Sequence, residues 1–438
     1  MSSAPTSTTL SGQPRKAETL RQTRTRVLTA SFIGNFVEWF DYAVYGYFAV
    51  VISEVFFPDS KNKLLLTFGL FAISFLIRPL GGFFWGHLGD RIGRRTALSW
   101  SILIMSAATF CIALIPGYAT IGVAAPLLLL ACRLVQGFSA SGEYAGASAF
   151  LVEYAPADKR GRYAAVVPAS TATGLLMGSL FAAVSTAVLT DAQMHDWGWR
   201  VPFLLAAPMG LIGRYIRNKL EDTPAFQEIS AEDEVIKAPM MQMFRDHWPA
   251  LLRAFGAVLL NAVGFYVILS YMPTYLSEVV KLDSTLSYIA TTVALITYIG
   301  FIFVTGSLSD RFGRRRVLMA AAVLAVVLTI PAFMLLNTGS FVVILLVQVV
   351  LGFALTLNDG TLPSFLSELF PTRVRYSGFA VSFNLGNAIF GGTAPAICTW
   401  LIATSGSQIA PSYYLIGAAV VSFIAVALSP ETSRRPLT

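Results

Sequence analysis

Gly86-His87-Leu88-Gly89-Asp90-Arg91-Ile92-Gly93-Arg94-Arg95 recurs as Gly306-Ser307-Leu308-Ser309-Asp310-Arg311-Phe312-Gly313-Arg314-Arg315. Each copy lies between two apolar runs of about 20 residues, enough at 1.5 Å per residue to cross ~30 Å of hydrocarbon. Of the 438 residues, 55% are hydrophobic and only 13% charged, with a mean hydropathy of +0.66. A soluble domain carries about 25% charged residues, so the composition excludes a soluble enzyme, a nucleic-acid binder and a secreted disulfide scaffold. An outer-membrane barrel is excluded too, because its strands are ~10-residue alternating segments. The net charge of +7 reflects arginines flanking apolar spans, which is a topology signal.

The pattern predicts an all-α membrane protein of twelve transmembrane helices in two pseudo-symmetric six-helix bundles. Spans are expected near 29–52, 63–87, 96–116, 121–152, 162–190 and 198–219, then near 250–276, 284–308, 316–337, 341–368, 376–403 and 412–430. The bundles are accordingly 29–219 and 250–430, joined by a polar linker over 220–249 with surface-lying amphipathic segments. Residues 1–28 are Ser/Thr-rich and then basic, and with 431–438 they are expected to be cytoplasmic tails, the first disordered. With both termini cytoplasmic, 25 of the 31 Lys+Arg fall on that side, four fall outside, and Arg78 and Arg133 remain within spans. So strong a bias is hard to obtain with the wrong orientation or an odd helix count, and a multi-pass location in the cell membrane is expected. The three cysteines, Cys111, Cys132 and Cys398, fall inside spans and are expected to be small core residues.

A second motif is duplicated. Glu153 and Arg160 (E-x6-R) end the fourth span, and Glu368 and Arg375 end the tenth. At that offset Arg133 meets Gln348, and Leu220-Glu221-Asp222-Thr223-Pro224 has a weaker echo in Ser429-Pro430-Glu431-Thr432. Glycines 86 and 93 allow close helix approach and a sharp reversal. The acids and arginines can pair across helices, so that a lattice of Asp90, Arg91, Arg94, Arg95, Glu153, Arg160, Asp310, Arg311, Arg314, Arg315, Glu368 and Arg375 closes the cytoplasmic end in one state and breaks in another. The simpler alternative is a topology anchor. Two copies in equivalent places favour the gate.

Further stretches carry a family resemblance. They are Gly34-Asn35-Phe36-Val37-Glu38-Trp39-Phe40-Asp41-Tyr42, Phe75-Leu76-Ile77-Arg78-Pro79-Leu80-Gly81-Gly82, Gln136-Gly137-Phe138-Ser139 with Gly142-Glu143-Tyr144, and Trp197-Gly198-Trp199-Arg200. With the loop motifs they make the whole chain resemble the major facilitator superfamily, most nearly its metabolite:proton symporters of proline/betaine, α-ketoglutarate, shikimate and citrate. The resemblance implies alternating-access import of a small organic solute coupled to protons, by a monomer with no cofactor beyond the coupling ion. A facilitative uniporter or an antiporter of the same fold is the alternative. Osmosensing members carry a long C-terminal coiled coil; this chain runs only eight residues past Pro430, and osmotic activation of that kind is not expected.

Intramembrane charges mark function, because each costs at least ~2.5 kcal/mol at a span centre. Asp41 and Arg133 both lie ~18 Å from the start of their predicted spans. They occupy the places where related sugar:proton symporters pair an acid in helix 1 with an arginine in helix 4. The resemblance implies that Asp41 carries the proton and Arg133 is its switching partner; a static ion pair is the alternative. Glu38, one turn before Asp41, is either a second titrating carboxyl or a hydrogen-bonded structural acid. Arg78 is a candidate for a solute carboxylate, since a guanidinium offers a bidentate fork, and an equal candidate for pairing with Glu38 or Asp41. Gln136, Asn35, Tyr42, Tyr45 and Tyr266 are expected polar or aromatic contacts of the solute, the aromatics suiting a quaternary ammonium or serving as packing. Glu143 and Asp359 are expected in the gate network, with contact to the solute as the alternative. His87, His195 and His247 sit at span edges or in loops, which argues against a membrane-embedded enzyme.

Overall fold

A computed structural model describes residues 13–231 and 238–437. Among these residues ten helices are long and apolar enough to cross a membrane: α2 Lys63–Ile92, α3 Arg94–Leu114, α4 Ala124–Tyr154, α5 Arg160–Val188, α7 Trp248–Val279, α8 Thr285–Phe312, α9 Arg314–Leu336, α10 Phe341–Leu369, α11 Thr372–Ser405 and α12 Ala410–Ala427. The other two, α1 Gln13–Tyr47 and α6 Val201–Asn218, are less apolar because α1 holds Glu38 and Asp41 and α6 ends with Arg214 and Arg217. Both are packed within the first bundle, α1 along α5 and α6 along α3, so their charges face protein and not hydrocarbon. The fold is therefore the all-α, twelve-helix arrangement of two six-helix bundles.

One boundary is corrected. Helix α1 begins at Gln13, so residues 13–28 continue the first span as helix where a disordered tail was expected; residues 1–12 lie outside the described part. The run Arg15 to Arg26 contains no proline or glycine, so nothing local stops a helix nucleated by the packed segment behind it. In the linker, Pro224–Ala231 and Pro239–Asp246 are short helices. The second is amphipathic: Met243 is buried with Val374 and Val381, while Met241 and Phe244 point outward.

Small residues set where the bundles meet. A Cβ on Gly86 of α2 would come within 2.8 Å of Ser377 Cα on α11, and one on Gly161 of α5 within 2.4 Å of the Gly306 carbonyl on α8. These α2–α11 and α5–α8 crossings bring the backbones together at the end carrying the repeated Asp-Arg turns, hereafter the basic end. Toward mid-membrane the seam becomes aromatic, Trp39 and Phe75 meeting Phe265 and Tyr266 with ring centroids 5.2–6.4 Å apart. Helices α7 and α11 widen there into π-helical turns at Tyr266–Tyr271 and Asn387–Gly391, a distortion that clusters at functional sites.

Candidate functional site: a latched end and a charged centre

The latch at the basic end obeys the internal two-fold repeat. Asp90 ends α2, and its carboxylate accepts the backbone N–H groups of Tyr376 and Ser377, in the first turn of the α-helical part of α11 that begins at Arg375, at 3.1 and 2.8 Å. Asp310 ends α8 and accepts those of Gly161 and Arg162 in the first turn of α5, at 2.8 and 3.0 Å. Each acid thus caps a helix of the opposite bundle, where orphan donors and the helix dipole favour negative charge. The E-x6-R motifs exchange partners in the same way. Glu153 accepts from Arg375 at 2.6 Å, and Glu368 faces Arg160 at 3.7 Å. Arg94 and Arg314, buried in the two turns, brace their neighbours: Arg94 lies 3.1 Å from Asp90 and 3.4 Å from Glu153, Arg314 2.8 Å from Asp310 and 3.2 Å from Glu368.

The weak echo after α6 and α12 is a matched pair of clips. Asp222 accepts from the backbone of Arg94 at 3.1 Å, and Glu431 from that of Arg314 at 2.9 Å. The next residue in each case, Thr223 or Thr432, donates its hydroxyl to Glu153 or Glu368. Burial raises the carboxyl of Asp222 above the ordinary aspartate range. Gly93 and Gly313 hold φ of +100° and +97° beside these clips, a conformation open to glycine and strained for side chains with a Cβ. Not every motif residue joins in. Arg91 and Arg311 are exposed at the turns and so stand outside the gate in which they were expected. Arg95 and Arg315 donate to the carbonyls of Leu220 and Ala427 within their own bundles, tying each turn to a neighbouring helix end.

The charged centre belongs to the first bundle. Asp41 on α1 meets Arg133 on α4 at 3.2 Å, and Gln136, one turn further, donates to the same oxygen at 3.0 Å and to Thr109 at 2.6 Å. The ring of Tyr45 lies 3.4 Å from the Arg133 guanidinium, its hydroxyl spent on the Thr67 carbonyl. One turn toward the basic end Glu38 holds Arg78 at 2.5 Å, and that guanidinium lies 4.6–5.9 Å from the rings of Phe75, Tyr42 and Trp39. Of the two roles open to Arg78, the structure occupies the ion pair with Glu38. Buried polar atoms without a hydrogen-bond partner gather here: Glu38 Oε2, Trp39 Nε1, Asp41 Oδ1, the Tyr42 and Tyr266 hydroxyls and Arg78 Nε. Such groups are ordinarily satisfied, so the charged centre holds unused hydrogen-bonding capacity.

Three expectations change. Asn35 is fully buried and spends its amide on the Val167 carbonyl, Ser170 and Thr171 of α5 at 2.7–3.0 Å; it clips α1 to α5 instead of facing a solute. Tyr45, sealed inside the first bundle, covers Arg133 and has no exposed surface for a solute. Glu143 and Asp359 are not part of the latch. Glu143 pairs with Arg217 of α6, a residue whose position near a span end had marked it as a topology charge. Asp359 on α10 receives Asn261 at 2.8 Å, Tyr298 at 2.7 Å and Asn358 at 3.0 Å.

Two helical bundles latched at one end over a buried charged centre form the architecture of a multi-pass membrane transporter. The sequence profile of the Major Facilitator Superfamily matches residues 31–395 and again 254–437. The proline/betaine transporter of Escherichia coli strain K12 is 39% identical over 426 residues, 94% of this chain and 84% of its own length. A putative proline/betaine transporter of Staphylococcus aureus strain COL is 38% identical over 405 residues, 92% of this chain and 87% of its own. Among solved structures, a proton:xylose symporter bound to 6-bromo-6-deoxy-D-glucose shares the fold with a TM-score of 0.78 over 95% of this chain and 98% of that one, at 16% identity. The chain belongs to the Major Facilitator Superfamily, and its helix motifs resemble the metabolite:proton symporters within it.

Proposed function

We propose that this protein is a proton-driven symporter of the cell membrane that imports a small zwitterion of the proline or betaine kind, with the basic end and both termini cytoplasmic. The observation that carries the reading is the Asp41–Arg133–Gln136 triad, buried in one bundle beside the inter-bundle aromatic seam. An ionised Asp41 holds Arg133. Once a proton neutralises the carboxylate, Arg133 loses its partner and its charge must be met by solute or by a new helix arrangement, which links proton occupancy to bundle rocking. Arg78 matches the carboxylate of a zwitterion, with Glu38 the partner it gives up. A solute carboxylate can take the guanidinium, as its bidentate geometry favours, while Tyr42, Trp39 and Tyr266 flank the site. Inward movement of one proton down ~100 mV supplies ~2.3 kcal/mol, enough for ~50-fold accumulation of a solute without net charge.

The test is uptake of labelled betaine and proline into proteoliposomes with and without an imposed proton gradient. Asp41→Asn is expected to lose uphill accumulation and keep solute exchange. Uphill uptake at the wild-type level in that variant refutes the assignment of the proton to Asp41.

A further inference from the structure

Leaving aside the latch acids Asp90, Glu153 and Asp310, three of the four acids buried inside the described spans have an arginine: Glu38 has Arg78, Asp41 has Arg133 and Glu143 has Arg217. The fourth, Asp359, is fully buried, and its hydrogen-bond partners are an amide, a phenol and a second amide, all neutral. The interior of the first bundle is therefore charge-balanced, whereas that of the second carries one uncompensated carboxylate. A charge so placed is costly unless a proton neutralises it or a cation meets it.

Its surroundings say which cation. Asp359 lines a cavity between the bundles with Trp39, Tyr144, Phe265, Tyr298 and Phe383. Trp39 and Phe265 meet edge to face at 5.2 Å, and Tyr144 stacks on Phe383 at 4.2 Å. Five aromatic rings around an acid form a cage for an alkylated ammonium, whose charge is spread over methyl or methylene groups that contact ring faces and cannot fill a tight oxygen shell. A second observation agrees. Trp39 Nε1, on the wall of the same cavity, is buried without any partner, leaving polar capacity for a bound solute. With the basic end latched the cavity holds ≈ 10 Å³, about the room of one water. Trp39 and Tyr144 come from the first bundle and the other three rings from the second, so the cage opens as the bundles part.

We propose that Asp359 and the rings of Trp39, Tyr144, Phe265, Tyr298 and Phe383 form the subsite for the ammonium group of the transported solute. This deepens, and rests on, the zwitterion reading given above. It places the solute's positive charge at the second bundle, so that one molecule touches both halves, and it gives a reason for the acid to be left without an arginine.

The experiment uses the full chain in lipid nanodiscs and titration calorimetry with three probes. Betaine has both charges; 3,3-dimethylbutanoate has the same shape with carbon in place of nitrogen; tetramethylammonium has the cation alone. The wild type is expected to prefer betaine to 3,3-dimethylbutanoate by about 100-fold, and Asp359→Asn to shrink that preference to about threefold or less. Phe265→Leu, which leaves every ion pair intact, is expected to weaken betaine and tetramethylammonium by about three- to tenfold and to leave 3,3-dimethylbutanoate nearly unchanged; it serves also if Asp359→Asn fails to fold. Betaine binding whose preference survives both substitutions overturns the cage and leaves the zwitterion reading standing. Tetramethylammonium binding that depends on Asp359, in a protein that ignores betaine, supports the cage and overturns the zwitterion reading. A wild type that binds neither probe overturns both.

Discussion

Replacing Glu153 by glutamine should shift the conformational balance toward a state open at the basic end, and the geometry says by how much. The carboxylate accepts Arg375 from the opposite bundle at 2.6 Å, lies 3.4 Å from Arg94 and takes the Thr223 hydroxyl. Arg94 and Arg375 are at most 1% exposed, so in the latched state they cannot replace the lost charge with water. Removing one partner of a buried pair costs about 3–5 kcal/mol. Opening rehydrates Arg375, so most of that cost falls on the latched state alone; about 3 kcal/mol corresponds to a roughly 150-fold change in the ratio of the two states. Glu368→Gln breaks the matching contact, but Arg160 is further away, at 3.7 Å, and about 1 kcal/mol, roughly fivefold, is expected. The assay is electron–electron double resonance between spin labels on Arg91→Cys and Arg311→Cys, which flank the latch and are both exposed, with Cys111, Cys132 and Cys398 changed to alanine. The distance distribution should lengthen strongly with Glu153→Gln and weakly with Glu368→Gln. Identical distributions in Glu153→Gln and the parent, or the reverse order of the two variants, would refute a latch built on reciprocal cross-bundle pairs.

Other outcomes follow from the same contacts. Gly161→Val adds carbon where a Cβ already lies 2.4 Å from the Gly306 carbonyl, so the α5–α8 crossing cannot close; the spin-label distance should lengthen and uptake should fall well below that of a Ser309→Ala control. Glu143→Ala and Arg217→Ala each strand a buried charge and should lower the unfolding midpoint by an amount equivalent to about 3–5 kcal/mol, and the double variant should recover part of the loss, measured by denaturant titration in detergent. Asn35→Ala should cost about 1–3 kcal/mol of stability through its lost bonds to α5 and leave the KM for betaine unchanged; a KM rise with unaltered stability would return Asn35 to the solute site.

What the sequence disclosed and what it withheld divides along a physical line. Repetition was readable: the two Asp-Arg turns and the two E-x6-R motifs predicted where a gate would stand. Pairing was not, because partnership between Glu153 and Arg375, 222 residues apart, is set by how two bundles dock and not by either motif. Asp90 and Asp310 find backbone N–H groups at helix starts, and a backbone donor leaves no mark in the choice of residue. Depth counted along a helix also misled. Asp359 lies ten residues before Leu369, the end of α10, yet its face, not its height, decides that it meets Asn261 and Tyr298. Arg217 looked like one more flanking cation until the packing of α6 against α1 and α3 brought it to Glu143. The Asp41–Arg133 contact, by contrast, was implied by resemblance and appears at 3.2 Å; what it does with a proton is a matter for the transport assay.

The clips at Glu431 and Thr432 have a practical consequence. They lie past the final helix, where a purification tag or fluorescent fusion would ordinarily be grafted. A reporter joined directly after Ser429 would strip α9 of its cap and Glu368 of a donor, loosening one half of the closure while its counterpart at Asp222 and Thr223 stayed intact. Such a fusion protein would misreport the kinetics of the native transporter, so a reporter must leave residues 430–432 and their contacts in place.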